Sequence, residues 1–256
     1  MTIVHVIPCR TDNYVFVAGL PNRREVVVVD PCDAPPVLQR LQEEGLQPVA
    51  ILNTHHHGDH VGGNLELLRQ YPQLRVFAHE SDRHRIPGLT DPIGGGQTLD
   101  VAGMQFRVLF IPGHTRGHIA YVNDEVAFVG DTLFGAGCGR LFEGTAQQMY
   151  HALNHELASL NPNADIYFAH EYTAANLRFA EHIEPSNSAI HERIAKTAQR
   201  RAAGLFTTPT QLPVELDTNP FLRVHLPEVK AAVGAAPEAP PEEVFRLLRL
   251  AKDQFR

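Results

Sequence analysis

The sequence predicts an α/β fold in which helices cover β-sheet from the outside. Short runs rich in Val, Ile, Phe and Tyr fill the first two thirds of the chain, each bounded by turn residues. They are continuously apolar rather than strictly alternating, which marks strands covered on both faces. Between them, Ala34 to Glu44 has the apolar spacing of a helix and supplies part of that cover.

Taken in order, Val4 to Ile7, Tyr14 to Val17 and Val26 to Val29 read as strands, the last ending at Asp30. Further strands are expected at Val49 to Asn53, Arg75 to His79, Met104 to Ile111, Val126 to Val129 and Ile166 to Ala169, and several of them stop abruptly at polar residues. From Thr173 the pattern turns helical, rich in Ala, Glu and Arg, with breaks expected at Pro185, Pro209, Pro213 and Pro220. A boundary near Ala174 follows, dividing residues 1–173 from a helical region at 174–256. The stretch Ala235 to Pro241 reads as a Pro/Ala linker, and Pro241 with Glu242 and Glu243 starts a helix that runs through Val244 to Lys252.

The chain has 256 residues, enough to bury a large core, with 43% hydrophobic and 20% charged residues, which excludes disordered and collagen-like classes. A formal charge of −7 argues against nucleic acid as a partner. Met1 to Leu20 lacks a basic n-region and an unbroken apolar h-region, and no stretch has the length of a membrane span; a cytoplasmic location and no membrane partner are the expectations. Cys9, Cys32 and Cys138 are an odd number at wide spacing, read as three free thiols. A monomer is expected.

Chemistry concentrates in Thr54-His55-His56-His57-Gly58-Asp59-His60, where a predicted strand ends and before a helix starting around Gly62-Gly63-Asn64. Alternate residues of an extended loop project to one side, so His55 and His57 can share one metal ion, while Asp59 and His60 reach a second as the chain turns. One histidine alone is ordinary. Four ligand-type residues in six positions would bury unsatisfied polar groups if no ion were bound. His114 in Pro112-Gly113-His114-Thr115, Asp131 in Gly130-Asp131-Thr132 and His170 in Ala169-His170-Glu171 each follow a predicted strand and complete two metal shells. His56 is expected to point away from the ions, and Asp30, at the end of its strand, reads either as a residue that orients a ligand from behind or as a turn residue.

The order H-x-H-x-D-H, PGHT, GDTLF and AHEYT resembles the metallo-β-lactamase superfamily in its glyoxalase II (hydroxyacylglutathione hydrolase) branch. The resemblance implies an αββα sandwich with a smaller helical C-terminal domain that binds substrate. It also implies that His55, His57 and His114 hold one divalent ion, that Asp59, His60 and His170 hold another, and that Asp131 bridges them. The ions would be zinc, with iron or manganese accepted by the same donors. Outside the metal shell, Gly137 to Gly144 with Arg140 and Phe142, Tyr172, and the terminal helix with Arg249 and Lys252 resemble the glutathione-binding parts of that family. Arg249 and Lys252 are three apart on a helix and so face one side, as a clamp for a carboxylate would. Two departures stand out: Arg140 where many members carry lysine, and Phe142 where many carry tyrosine. The missing hydroxyl costs one hydrogen bond to substrate, roughly a kcal/mol.

The implied activity is hydrolysis of S-D-lactoylglutathione and similar hydroxyacylglutathiones to D-lactate and glutathione, the second step of methylglyoxal detoxification. A metal-bridging hydroxide would attack the thioester, and Asp59 would accept the remaining proton. A persulfide dioxygenase, with one iron and open positions, is the enzymatic alternative, and the full double ligand set weighs against it. A β-lactamase would be expected to carry a secretion signal. A glutathione- or metal-binding protein without turnover is disfavoured by the completeness of the ligand set.

Overall fold

A computed structural model describes residues 1–255, divided into two compact units: Met1–Phe110 with Gly117–Gly130, and Ile111–Arg116 with everything from Asp131 onward.

In the first unit, β1 (Ile3–Cys9), β2 (Asn13–Gly19) and β3 (Glu25–Val29) pair antiparallel. After α1 (Ala34–Glu44) the sheet continues in parallel through β4 (Gln47–Leu52), then, past α2 (Gly58–Val61) and α3 (Asn64–Gln70), through β5 (Arg75–His79) and β6 (Asp91–Ile93). The switch to parallel pairing needs crossovers, and α1 and α3 provide them. Two prolines at the start of α1 and Gly45 in the left-handed conformation at its end fix the length of that helix. Val37 and Leu41 of α1 and Leu67 of α3 pack on Val15, Val17, Val28, Ile51 and Val76 of the sheet.

A second layer runs β7 (Thr98–Val101), β8 (Met104–Phe110), β9 (Ile119–Val122) and β10 (Val126–Gly130), all antiparallel. Phe16 of the first sheet meets Phe128 of the second at 5.6 Å between ring centres. The buried Tyr121 hydroxyl donates to the carbonyls of Asn53 and Phe77 at 3.0 and 3.1 Å, tying the strand ends β4 and β5 to β9. Burial holds this phenol well above its ordinary pKa. Sheet on sheet with helices outside puts the C-terminal ends of the parallel strands β3, β4 and β5 at one edge, where ligand-bearing loops collect in α/β folds.

The second unit opens with the short hairpin β11 (Leu133–Phe134) and β12 (Gly137–Cys138), then α4 (Ala146–His151), whose start is closed by reciprocal Thr145 and Gln148 bonds. After β13 (Asp165–Phe168) come α5 (Thr173–Ile183), α6 (Ser188–Ala202), α7 (Leu212–Thr218), α8 (Pro227–Ala232) and α9 (Pro241–Gln254). Phe221 meets Phe179 and Phe245 at 6.3 and 5.3 Å, and Tyr150 of α4 meets Phe245 of α9 at 6.0 Å, so aromatic packing seats the terminal helix. The fully buried Glu215 accepts from Ala136 N–H at 2.9 Å, Thr210 Oγ1 at 2.8 Å and Asn219 Nδ2 at 3.0 Å, which fixes the turn of the β11–β12 hairpin.

Two sequence expectations are corrected. Cys9 and Cys32 are joined in a disulfide, leaving Cys138 the one free cysteine among the described residues. Their separation of 23 residues hid the pair: the turn after β1 folds against the loop after β3, where Arg10 donates to the Cys32 carbonyl at 3.0 Å. Pro213 does not break the chain but sits in the first turn of α7, a position that lacks an intrahelical donor requirement. No helix among the described residues is long and apolar enough to cross a membrane.

Candidate active site

In the first unit, the loop after β4 carries the dense histidine motif, with α2 formed inside it. Asp30, at the end of β3, organises this loop. One of its oxygens accepts the Thr54 N–H at 2.8 Å; the other takes the Thr54 hydroxyl at 2.7 Å and His60 Nδ1 at 3.1 Å. These bonds set the protons. Because Asp30 can only accept, His60 carries hydrogen on Nδ1 and presents a lone pair at Nε2, which faces Asp59 Oδ2 at 3.6 Å. With its own proton given to Asp30, Thr54 Oγ1 accepts from His55 Nδ1 at 3.1 Å. His55 Nε2 then offers a lone pair towards His57 Nδ1, 3.1 Å away. The loop therefore presents two donor pairs, His55 with His57 and Asp59 with His60. Asp30, although within ligand range of His55 and His60, is spent on three hydrogen bonds and acts from behind.

In the second unit, His114, Asp131 and His170 converge. His114 Nδ1 is 2.8 Å from the Arg140 carbonyl, which only accepts, so its lone pair lies on Nε2, 3.3 Å from Asp131 Oδ2. Asp131 Oδ1 faces His170 Nε2 at 3.4 Å. A lone pair set against a carboxylate oxygen is repulsive unless a cation lies with them, and one carboxylate offering an oxygen to each of two imidazoles is the arrangement a bridging ligand needs. The donor chemistry of both units fits divalent ions. Gly139 makes this close approach possible: a Cβ there would collide with the Asp131 carbonyl and lie 3.1 Å from His114 Nδ1.

The residues expected to bind substrate line one cavity of about 500 Å³ in the second unit, walled by His114, Asp131, Arg140, Phe142, Arg249 and Lys252 among others. Tyr172 also lines it, stacked on His170 at 4.9 Å with ring planes 6° apart, and Phe142 stands edge-on to His114 at 5.2 Å, 62% exposed. The two cations differ. Arg249 is 5% exposed, donates to the Cys138 carbonyl at 3.0 Å and to Asp253 at 2.8 Å, and its buried Nε lacks a hydrogen-bond partner among the described residues. Lys252 is half-buried over the rings of Phe179 and Phe255; burial, then the charges of Arg249, Arg178 and Arg140, depress its pKa. Burial raises the Cys138 thiol to about 11, so it is an inert wall of this cavity.

Three contacts here have no signature in the sequence. Asn13 of β2 donates to both the carbonyl and the carboxylate of Asp59, at 3.2 and 3.0 Å. The buried His118 stacks on His55 at 4.7 Å. Arg140 contributes its carbonyl to His114 as well as its charge to the cavity. Each is a tertiary contact, so no local spacing announces it.

The family model of the metallo-beta-lactamase superfamily matches residues 7–170, and that of the hydroxyacylglutathione hydrolase C-terminus matches residues 171–255. A hydroxyacylglutathione hydrolase from Synechococcus sp. is 49% identical over 98% of this chain and 99% of its own length. The chain belongs to the hydroxyacylglutathione hydrolase family. Another member, from Aliivibrio salmonicida, is 47% identical over the whole of both chains. As a hydroxyacylglutathione hydrolase family member, the chain is a metal-dependent hydrolase of the metallo-β-lactamase fold. Among solved structures, ETHE1 from Myxococcus xanthus superposes with TM-score 0.70 at 23% identity, over 99% of this chain and 92% of that one, a likeness of fold alone. A protein solved in a di-iron-bound form, TTHA1623, gives 0.61 at 26% identity over 86% of this chain and 100% of its own.

Proposed function

We propose that this chain hydrolyses S-D-lactoylglutathione and related hydroxyacylglutathiones to the hydroxy acid and glutathione. One observation carries the reading: ligand-type residues His114 and Asp131 line the same cavity as the cations Arg249 and Lys252. A thioester whose acyl end lies at the imidazoles and whose tripeptide carboxylate lies at the cations fits those two poles.

The proposed ligands are His55, His57 and His114 for one divalent ion, Asp59, His60 and His170 for a second, and Asp131 for both; the di-iron relative supports two ions. When bound, such ions acidify water and polarise the thioester carbonyl. The chain's own groups do the rest. Asn13 holds the Asp59 carboxylate, which is placed to accept a proton. Lys252, which forms no ion pair among the described residues, takes the carboxylate of the substrate's glycine, while Arg249, already engaged with Cys138 and Asp253, supplies field and shape. Phe142 and Tyr172 cover the tripeptide. The leaving thiolate needs no strong acid, since thiols ionise near pH 8.5. Residues 174–256 are the proposed substrate-binding region, and zinc, a cytoplasmic location and a monomeric state complete the proposal.

The test compares Lys252→Met with wild type on S-D-lactoylglutathione and on a small thioester lacking the tripeptide. Loss of kcat/KM confined to the glutathione thioester supports the reading. Equal losses on both substrates would assign Lys252 to the fold instead.

A further inference from the structure

We propose that Asp82 is a positioning residue for the metal-binding loop, acting through His56. Asp82 closes the single turn Glu80–Asp82 after β5 and is 2% exposed. Its Oδ2 lies 3.3 Å from His56 Nδ1, and its Oδ1 lies 3.5 Å from the Arg85 guanidinium. The same guanidinium meets His56 Nε2. The protons sort themselves: His56 donates from Nδ1 to Asp82, Arg85 forms an ion pair with Asp82, and the lone pair left on His56 Nε2 accepts from Arg85. Three residues thus close a ring of two hydrogen bonds and one ion pair.

His56 stands between His55 and His57, and neighbouring side chains of an extended segment point to opposite sides. Pinning His56 leaves His55 and His57 to meet each other, their nitrogens 3.1 Å apart. Asp82 also abuts a second segment of the site, the turn that leads into β9. A Cβ on Gly117 would lie 2.6 Å from Asp82 Cγ and 2.8 Å from Ser81 Oγ, so only glycine fits against this carboxylate. Gly117 precedes His118, whose ring stacks on His55, and Ile119, whose N–H donates to the Thr54 carbonyl at 2.9 Å. One buried side chain therefore bears on both segments that flank His55.

The proposal rests on the reading of His55 and His57 as metal ligands, so wild-type protein is measured first: stripped and titrated with zinc against a chromophoric chelator, it should bind two equivalents. Binding of none would overturn that reading and this proposal with it. Given binding, Asp82→Asn is expected to weaken zinc affinity about 10- to 100-fold, the range for partners that orient a ligand from behind. His56→Asn should lose a similar factor, and the double variant should be little worse than either single one. KM for the thioester should stay near wild type in the metal-loaded variants. If Asp82→Asn fails to fold, His56→Asn carries the test alone. Unchanged zinc affinity in a folded variant, or losses that multiply in the double variant, would overturn the proposal and leave Asp82 as a fold-supporting carboxylate.

Discussion

At Asp131 the two carboxylate oxygens face different imidazoles, His114 Nε2 at 3.3 Å and His170 Nε2 at 3.4 Å. Asp131→Ala should therefore lower bound metal and rate together, and metal analysis checks it; two retained equivalents would contradict the bridging assignment. Lys252 allows a pH test. Its pKa is depressed by burial and by neighbouring cations, so the folded state releases this proton at a lower pH than the unfolded chain. The cost of burying the charged form is present at low pH and disappears as pH rises through the depressed pKa, so stability rises there; carboxylate binding weakens over the same window. Wild-type kcat/KM for the glutathione thioester should fall at a pH below the ordinary lysine range, whereas Lys252→Arg should keep it flat there. At this scale the ligand-type residues were legible because four of them fall within six positions and the rest follow strands. Asn13, His118 and Asp82 were not, because they reach the ligands only after β2, β5 and β9 are brought together.

Helix α9 presents Val244, Phe245 and Leu248 to the core, and the next residue after Leu248 is Arg249 in the cavity wall. Leu248→Ala should cost about 2 to 5 kcal/mol of stability, by lost burial and a residual cavity. It should also raise KM while metal content holds, since no proposed ligand lies on this helix; denaturant melts, kinetics and metal analysis read the three effects. Elements with strong patterns were readable: Ala34 to Glu44 and Arg75 to His79 coincide with α1 and β5. The short strands β6, β7 and β9 escaped notice. β6 is three residues with a central proline, and β9 runs on from a Gly-His turn, so pairing partners rather than composition define them.

For the molecule as a whole, the family follows from matches that run through both the sandwich and the helical segment, and the two-ion hydrolase reading joins them in one reaction. Ions that bind only the folded chain stabilise it by mass action, so chelation should lower the melting temperature as well as the rate. The αββα architecture was legible through motif order. The Cys9–Cys32 bond was not, because cysteine spacing says nothing of which loops meet. The most direct test is thiol release from S-D-lactoylglutathione by the purified chain as isolated, after removal of metal, and after zinc is restored. Steady release, its loss on stripping and its recovery with zinc are expected. No release by metal-loaded protein, or undiminished release by stripped protein, would contradict the two-ion hydrolase reading.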